Sequence, residues 1–325
     1  MVIQISPRRR AVGASEPCHD VVVDGVRLAY DDEGDGPPLV CLHAIGHGAS
    51  DFAGLRRRLA GRHRVIALDW PGHGSSDDDR VPASAGRYAV LLAGALDALG
   101  VERSVILGNS IGGAVAIRFA AAHPDRVRAL VLANPGGLDR GGGGRLNRAV
   151  TGMMARFFAA GARGARWYPG AFAAYYRIVL TEPAAREQRD RIVAQAGDVA
   201  RVLHDAWRSF GEPEADVRAL APAVTCPVLF AWATRDRVNQ LARCRAAIGL
   251  FPDARLETFR AGHAAFLEAP DAFAAALEPF LALAQSSGSG PGQSATIASP
   301  STRIGMRKSE RPHGGPATHS PVSGR

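Results

Sequence analysis

Residues Ser104–Arg118 read Ser-Val-Ile-Leu-Gly-Asn-Ser-Ile-Gly-Gly-Ala-Val-Ala-Ile-Arg. This stretch decides the fold. Val105–Leu107 is a short apolar run of strand character, and Ala114–Ala122 has the composition of a helix. Between them Gly108-Asn109-Ser110-Ile111-Gly112 fits the pattern G-x-S-x-G. A strand that turns directly into a helix forces its apex residue into a strained conformation, and a Cβ on either side would collide with the turn. Glycine is therefore expected at 108 and 112. The strain is expected to leave the Ser110 hydroxyl exposed at a helix N-terminus, where backbone N–H groups stabilise negative charge. A serine so placed becomes a nucleophile only if the chain also supplies a base, an acid and further N–H donors.

Outward from the elbow the chain alternates apolar strands with helices. Upstream, His19–Val23 and Val26–Asp31 flank Asp24-Gly25, a two-residue hairpin signal. Leu39–Leu42 and Arg64–Leu68 read as strands, with helices over Phe52–Leu59 and Ala85–Leu99, the second stopped by Gly100. Downstream, His123-Pro124 ends the elbow's helix. Val127–Leu132, Pro227–Ala231 and Arg255–Phe259 then read as strands, and Leu241–Leu250 and Asp271–Ala284 as helices. Such alternation predicts an α/β fold: a mostly parallel sheet with right-handed crossovers, flanked by helices. Ligands bind such sheets at the carboxyl ends of the strands. The loops His43–Gly48, Asp69–Ser76, Asn134–Gly137, Ala233–Arg237 and Arg260–His263 all fall there.

From Leu138 the strand rhythm stops. Gly141–Gly144 reads as a flexible joint, and Asn147–Phe210 as three to four helices broken at Pro169-Gly170, Pro183 and Gly197. Its aromatic residues, Met153 and Met154 are for the most part expected to pack these helices together and onto the main body, with a few lining an apolar pocket. The expected organisation is a disordered leader (1–18), an α/β core (19–137 and 223–284), an all-helical cap insertion (138–222) and a Ser-, Gly- and Pro-rich disordered tail (285–325).

Composition excludes several alternatives. The 325 residues suit one large α/β domain with an insertion, and 46% hydrophobic residues is ordinary for a globular chain. The longest apolar runs, such as Ala89–Leu96, are far short of a membrane span. Arg8-Arg9-Arg10 is not followed by an apolar core, so no secretory signal is expected, and a cytoplasmic location is. Much of the net charge of +8 sits in the leader and the tail, which leaves the body close to balanced. A nucleic-acid partner is therefore not expected; a small-molecule substrate is. Cys18, Cys41, Cys226 and Cys244 form no C-x-x-C pair and read as free thiols of a reducing compartment. His43, His47 and His73 are a conceivable metal cluster, but a supporting role for His43 and loop positions for the other two are the simpler reading. No metal or cofactor is expected.

The strand-end loops supply Ser110, then Asp236, then His263, in that chain order. This order, with His43-Ala44-Ile45-Gly46, Asp69-x-Pro-Gly-His-Gly-Ser-Ser76 and Gly262-His263 followed by Glu268-Ala-Pro270, resembles the α/β-hydrolase family of serine hydrolases with a helical cap. The resemblance spans about His19–Ala284. It implies that Ser110 is the nucleophile, His263 the general base and acid, and Asp236 the group that fixes the histidine tautomer. It also implies an oxyanion hole from the backbone N–H groups of Ile45 and Ile111. Some family members place the acid after the preceding strand, where Asp139 stands. Asp69 and His73 are expected to hold their loop. Two departures are visible: Ala44 replaces a glycine in the oxyanion loop, and serine rather than aspartate as nucleophile argues against dehalogenase and epoxide hydrolase activity. Gly108–Gly113 and Asn134–Leu138 are similar to the C–C bond hydrolases of aromatic ring-fission products. Those enzymes carry a tryptophan where Ala264 stands, so carboxylic-ester hydrolysis ranks first and C–C hydrolysis second. Acyl transfer, lactone hydrolysis and perhydrolysis would use the same residues, and a ligand-binding protein without catalysis is the remaining class.

Overall fold

Apolar runs bounded by turn residues become the middle of a sheet. The computed structural model describes residues 19–139 and 144–286. Among them are β1 (His19–Val23), β2 (Val26–Glu33), β3 (Pro38–Leu42), β4 (Arg64–Leu68), β5 (Ser104–Asn109), β6 (Val127–Ala133), β7 (Val228–Ala233) and β8 (Ala254–Phe259). They form one sheet in the order β1-β2-β4-β3-β5-β6-β7-β8. β2 is antiparallel to β1 and β4, and the neighbours from β4 to β8 are all parallel. β5 and β7 are buried along their whole length, as expected of strands covered on both faces. The eight-stranded, mostly parallel α/β sheet expected from the sequence is the observed fold.

The helices follow from the same pattern. α1 (Ala53–Leu59), α2 (Ala85–Ala98) and α3 (Ile111–Ala122) alternate with the early strands, and α8 (Leu241–Ile248), α9 (Ala265–Glu268) and α10 (Pro270–Ser286) with the last ones. Ser84 caps α2 by accepting the Arg87 N–H at 3.1 Å, and Gly100 at φ +63° follows its end. α3 begins at Ile111, three residues before the Ala114 start expected from composition. The Ser110 carbonyl already accepts the N–H groups of Gly113 and Ala114, so Gly112 and Gly113 are helical despite their low propensity. α10 likewise takes in Gln285 and Ser286, which the sequence assigned to the tail.

Between β6 and β7 the described chain forms α4 (Arg145–Ala162), α5 (Tyr168–Val179), α6 (Arg186–Ala194) and α7 (Ala200–Ser209), with short 3-10 turns and no strand. Phe158, fully buried, is ringed by Tyr168, Phe172, Tyr175 and Trp207 at centroid distances of 6.0–6.5 Å. Most of the insertion's aromatics pack as expected. Met153 and Trp167 do not: both are more than half exposed. The leader, residues 140–143 of the glycine joint and residues 287–325 of the tail lie outside the described residues.

The strand register sets the position of the site. Leu42 pairs with both Leu68 and Gly108, Asn109 with Ala133, and Ala133 with Ala231. The central strands therefore end level, and the loops that follow them meet at one edge.

Candidate active site

The elbow has the strain its sequence predicts. Ser110 sits at φ +55°, ψ −116°, among the few non-glycine residues at positive φ. A Cβ on Gly108 would lie 2.4 Å from the Gly112 carbonyl oxygen, and one on Gly112 would lie 2.3 Å from the Leu42 carbonyl oxygen. No side chain fits at either position. Ser110 differs from expectation in one respect: the residue is only 8% exposed. Its carbonyl accepts the Gly113, Ala114 and Gly136 N–H groups. Among the described residues the Ile111 N–H has no acceptor, so it remains available beside the serine.

Asp236 and His263 are brought together. His263 Nδ1 and Asp236 Oδ2 are 2.8 Å apart, with both residues buried. The same carboxylate oxygen accepts Asn134 Nδ2 at 2.6 Å, and Oδ1 accepts the Val238 N–H at 2.7 Å. Burial disfavours a charged His263 ring, but the Asp236 charge, its hydrogen bond and the more distant Glu268 outweigh that and raise its pKa above the ordinary histidine value. His263 thus carries its Nδ1 proton toward Asp236 and leaves Nε2 as the basic nitrogen. Asn109 Nδ2 donates to the His263 carbonyl at 3.1 Å and so ties the residue before Ser110 to the histidine loop. Ser110 Oγ and His263 Nε2 make no hydrogen bond to each other, and neither has another partner among the described residues. Asp139, the alternative acid, is paired instead with Arg243 at 2.7 Å.

The loop His43–Gly48 is fixed by two buried neutral histidines. His43 Nε2 accepts the Trp70 N–H at 2.9 Å while Nδ1 faces the Ala44 carbonyl at 2.7 Å. His73 Nε2 accepts the Gly46 N–H at 2.8 Å while Nδ1 faces the Pro71 carbonyl at 3.0 Å. Burial holds both rings below the usual histidine pKa, that of His73 at about 4. All four ring nitrogens are engaged with backbone. His73 is thus more than a loop residue, since it fixes Gly46 directly. Asp69 accepts Ala49 N–H at 2.7 Å and Ser75 N–H at 3.1 Å, which joins the two loops; burial raises its pKa to about 6 against those two bonds. His47 is also no plain loop residue: its Nδ1 lies 2.6 Å from Asp51 Oδ2, both buried, and Gln188 of α6 donates to Asp51 Oδ1 at 2.5 Å. The alanine at 44 does no harm, because Gly46, at φ +81°, makes the left-handed turn. Among the described residues no hydrogen bond takes the Ile45 N–H.

Glu268 fastens the histidine loop to the insertion. Its carboxylate accepts the Gly262 and Ala264 N–H groups on either side of His263, at 3.0 and 3.2 Å. It also accepts the Thr181 and Glu182 N–H groups at 2.8 and 3.0 Å and the Thr181 hydroxyl at 3.1 Å. The His263 N–H itself donates to the Val179 carbonyl at the end of α5, at 2.8 Å. Glu268→Gln turns one of the two accepting oxygens into a donor facing N–H groups. We expect a loss of about 2–3 kcal/mol in stability, seen as a lower urea midpoint at unchanged slope. Asn109, Asn134, Gln188 and the contacts of Glu268 were not read from the sequence. Asn109 and Asn134 stood only inside the Gly108–Gly113 and Asn134–Leu138 motifs and Glu268 inside Glu268-Ala-Pro270, with no role read for any of them.

Comparison with known proteins identifies the family. The α/β hydrolase fold family profile matches residues 37–270. The chain belongs to the α/β-hydrolase fold family. Among α/β-hydrolase relatives, a pimeloyl-[acyl-carrier protein] methyl ester esterase of Chromobacterium violaceum is 31% identical over 272 residues, 79% of this chain and 98% of that protein. A 2-hydroxy-6-oxononadienedioate/2-hydroxy-6-oxononatrienedioate hydrolase of Burkholderia vietnamiensis is 43% identical, but over 126 residues, 36% of this chain and 43% of that protein. Among solved structures, an esterase from Rhodococcus sp. ECU1013 superimposes with a TM-score of 0.66 at 26% identity, covering 82% of this chain and 98% of that one. Among the described residues no helix is long and apolar enough to cross a membrane.

Proposed function

We propose that this α/β-hydrolase cleaves a small, mainly apolar carboxylic ester through an acyl-enzyme. Ser110 attacks the ester carbonyl as His263 Nε2 takes its proton. The His263 imidazolium so formed is stabilised by Asp236 and then gives the proton to the leaving alcohol. The oxyanion is held by the N–H groups of Ile45 and Ile111, each worth about 3 kcal/mol to the transition state. Water then attacks the acyl-enzyme with His263 again as base. The observation that carries this reading is the buried His263–Asp236 pair, tied through Asn109 to the strained serine, with free N–H groups on both flanks. Residues 138–222 would act as a cap that decides what reaches Ser110.

The full-length match to an ester hydrolase supports ester cleavage, and the shorter, more identical match keeps C–C bond hydrolysis as the second reading. A panel of p-nitrophenyl esters of increasing acyl length, assayed beside a 2-hydroxy-6-oxo-dienoate, separates the two. Turnover of the short and medium esters is the expected result. Turnover of the dienoate alone would reverse the ranking, and failure of both with no covalent labelling of Ser110 would favour a ligand-binding role.

A further inference from the structure

We propose that Tyr176 is a third hydrogen-bond donor of the active site, its hydroxyl binding the substrate's carbonyl oxygen beside the Ile45 N–H. This rests on the hydrolase reading given above. Tyr176 lies on α5 and is 2% exposed. Its ring packs against Phe172 at a centroid distance of 4.8 Å and against His47 at 5.7 Å. The hydroxyl end presses on the oxyanion loop: a Cβ on Gly46, the residue after Ile45, would lie 2.7 Å from the Tyr176 oxygen. An alanine at 46 would therefore fail on two counts, the positive φ and the space the hydroxyl fills.

Most polar groups near that hydroxyl already have partners, His47 Nε2 being the exception among the described residues. The Gly46 N–H donates to His73, the His47 N–H to the Ala44 carbonyl, and the Asp51 carboxylate accepts from Gln188 and pairs with His47. Among the described residues nothing bonds to the Tyr176 hydroxyl itself. Unlike the fully enclosed Tyr88 and Tyr168 hydroxyls, the Tyr176 oxygen keeps some exposure, so an acceptor on a ligand can reach it. The Tyr88 and Tyr168 hydroxyls are also unpartnered, but Tyr88 stacks on Trp70 and Tyr168 packs among the insertion's aromatics. Tyr176 differs in its contact with the loop that carries Ile45. Burial, then Tyr175 and Asp51, hold its pKa far above the ordinary phenol value, so it stays a donor at every working pH. An ester carbonyl oxygen, which gains negative charge as Ser110 adds, is the acceptor this donor suits.

Tyr176→Phe removes the oxygen and keeps the ring packing. In the full-length protein, p-nitrophenyl butyrate kinetics are expected to show kcat/KM lower by roughly 10- to 100-fold, mainly in kcat. Thermal unfolding is expected at the same temperature or higher, because no protein hydrogen bond is lost. A fluorophosphonate should still label Ser110 to completion. Unchanged kcat/KM would overturn the proposal. A kinetic loss accompanied by a lower unfolding temperature would overturn it too, by making the hydroxyl structural. A wild-type protein that neither turns over the ester nor labels at Ser110 would remove the hydrolase reading first, and this inference with it.

Discussion

Ser110→Ala is expected to lose at least about 10⁴-fold in kcat for ester hydrolysis, with labelling by a fluorophosphonate abolished. The protein should remain folded. Ser110 Oγ has no protein partner to forfeit, and alanine carries the same Cβ at φ +55°, so the elbow strain is unchanged. The backbone donors of Ile45 and Ile111 persist, which leaves a residual rate above the uncatalysed one. Intact-mass measurement of the probe-treated wild type and variant decides the matter. Equal labelling, or ester turnover by Ser110→Ala near the wild-type rate, would remove Ser110 from the mechanism.

Asp236→Asn comes second in size, with kcat lower by about 10⁴-fold. The asparagine can turn an N–H toward His263 and so favour the tautomer that has its proton on Nε2, which cannot accept the serine proton. It would also place an amide against Asn134 Nδ2. Asp139→Asn, whose carboxylate pairs with Arg243 rather than with His263, should stay near wild type. The pH profile adds a second reading. With neutral His263 as the proposed base and its pKa raised, wild-type kcat/KM should fall as pH drops through a value above 6.5. Without the Asp236 charge that limb moves to lower pH. For stability the sign is opposite. A histidine whose folded pKa is raised contributes fully below its unfolded pKa and loses that contribution as pH rises through the folded one. The stability deficit of Asp236→Asn relative to wild type should therefore be largest in mild acid. An acid limb unmoved in Asp236→Asn would count against the pair.

The fold was legible because its signals are local. Strand runs such as Val105–Leu107 and Val127–Leu132, and punctuation such as Asp24-Gly25 and Gly100, each act within a few residues. Ser110, Asp236 and His263 were legible because they stand at strand ends in a fixed order. The support around them was not. Asn134 reaches Asp236 across 102 positions and Asn109 reaches His263 across 154. An asparagine in a loop has many bland uses, so neither announces its partner. Exposure failed for the same reason: Ser110 was expected to be exposed at its elbow and Trp167 to pack with the insertion's other aromatics, and each depends on elements distant in sequence. His73 was underrated because its donor, the Gly46 N–H, comes from another loop, and His47 because its neighbour Asp51 is held by Gln188 from the insertion.

The latch at Glu268 bears on how modular the insertion is. Transplanting helices from a relative into this scaffold is a common engineering step, and the four helices between β6 and β7 invite it. Yet the His263 N–H donates to the Val179 carbonyl, the N–H groups on either side of it share the Glu268 carboxylate with those of Thr181 and Glu182, and Arg235, next to Asp236, is paired with Glu182 at 2.5 Å. A donor segment joined only at its two ends would remove the abutment against which the histidine loop is set. Chimeras should therefore keep this corner, with its carbonyl and two N–H groups, and exchange α4 or α7 while leaving the end of α5 alone.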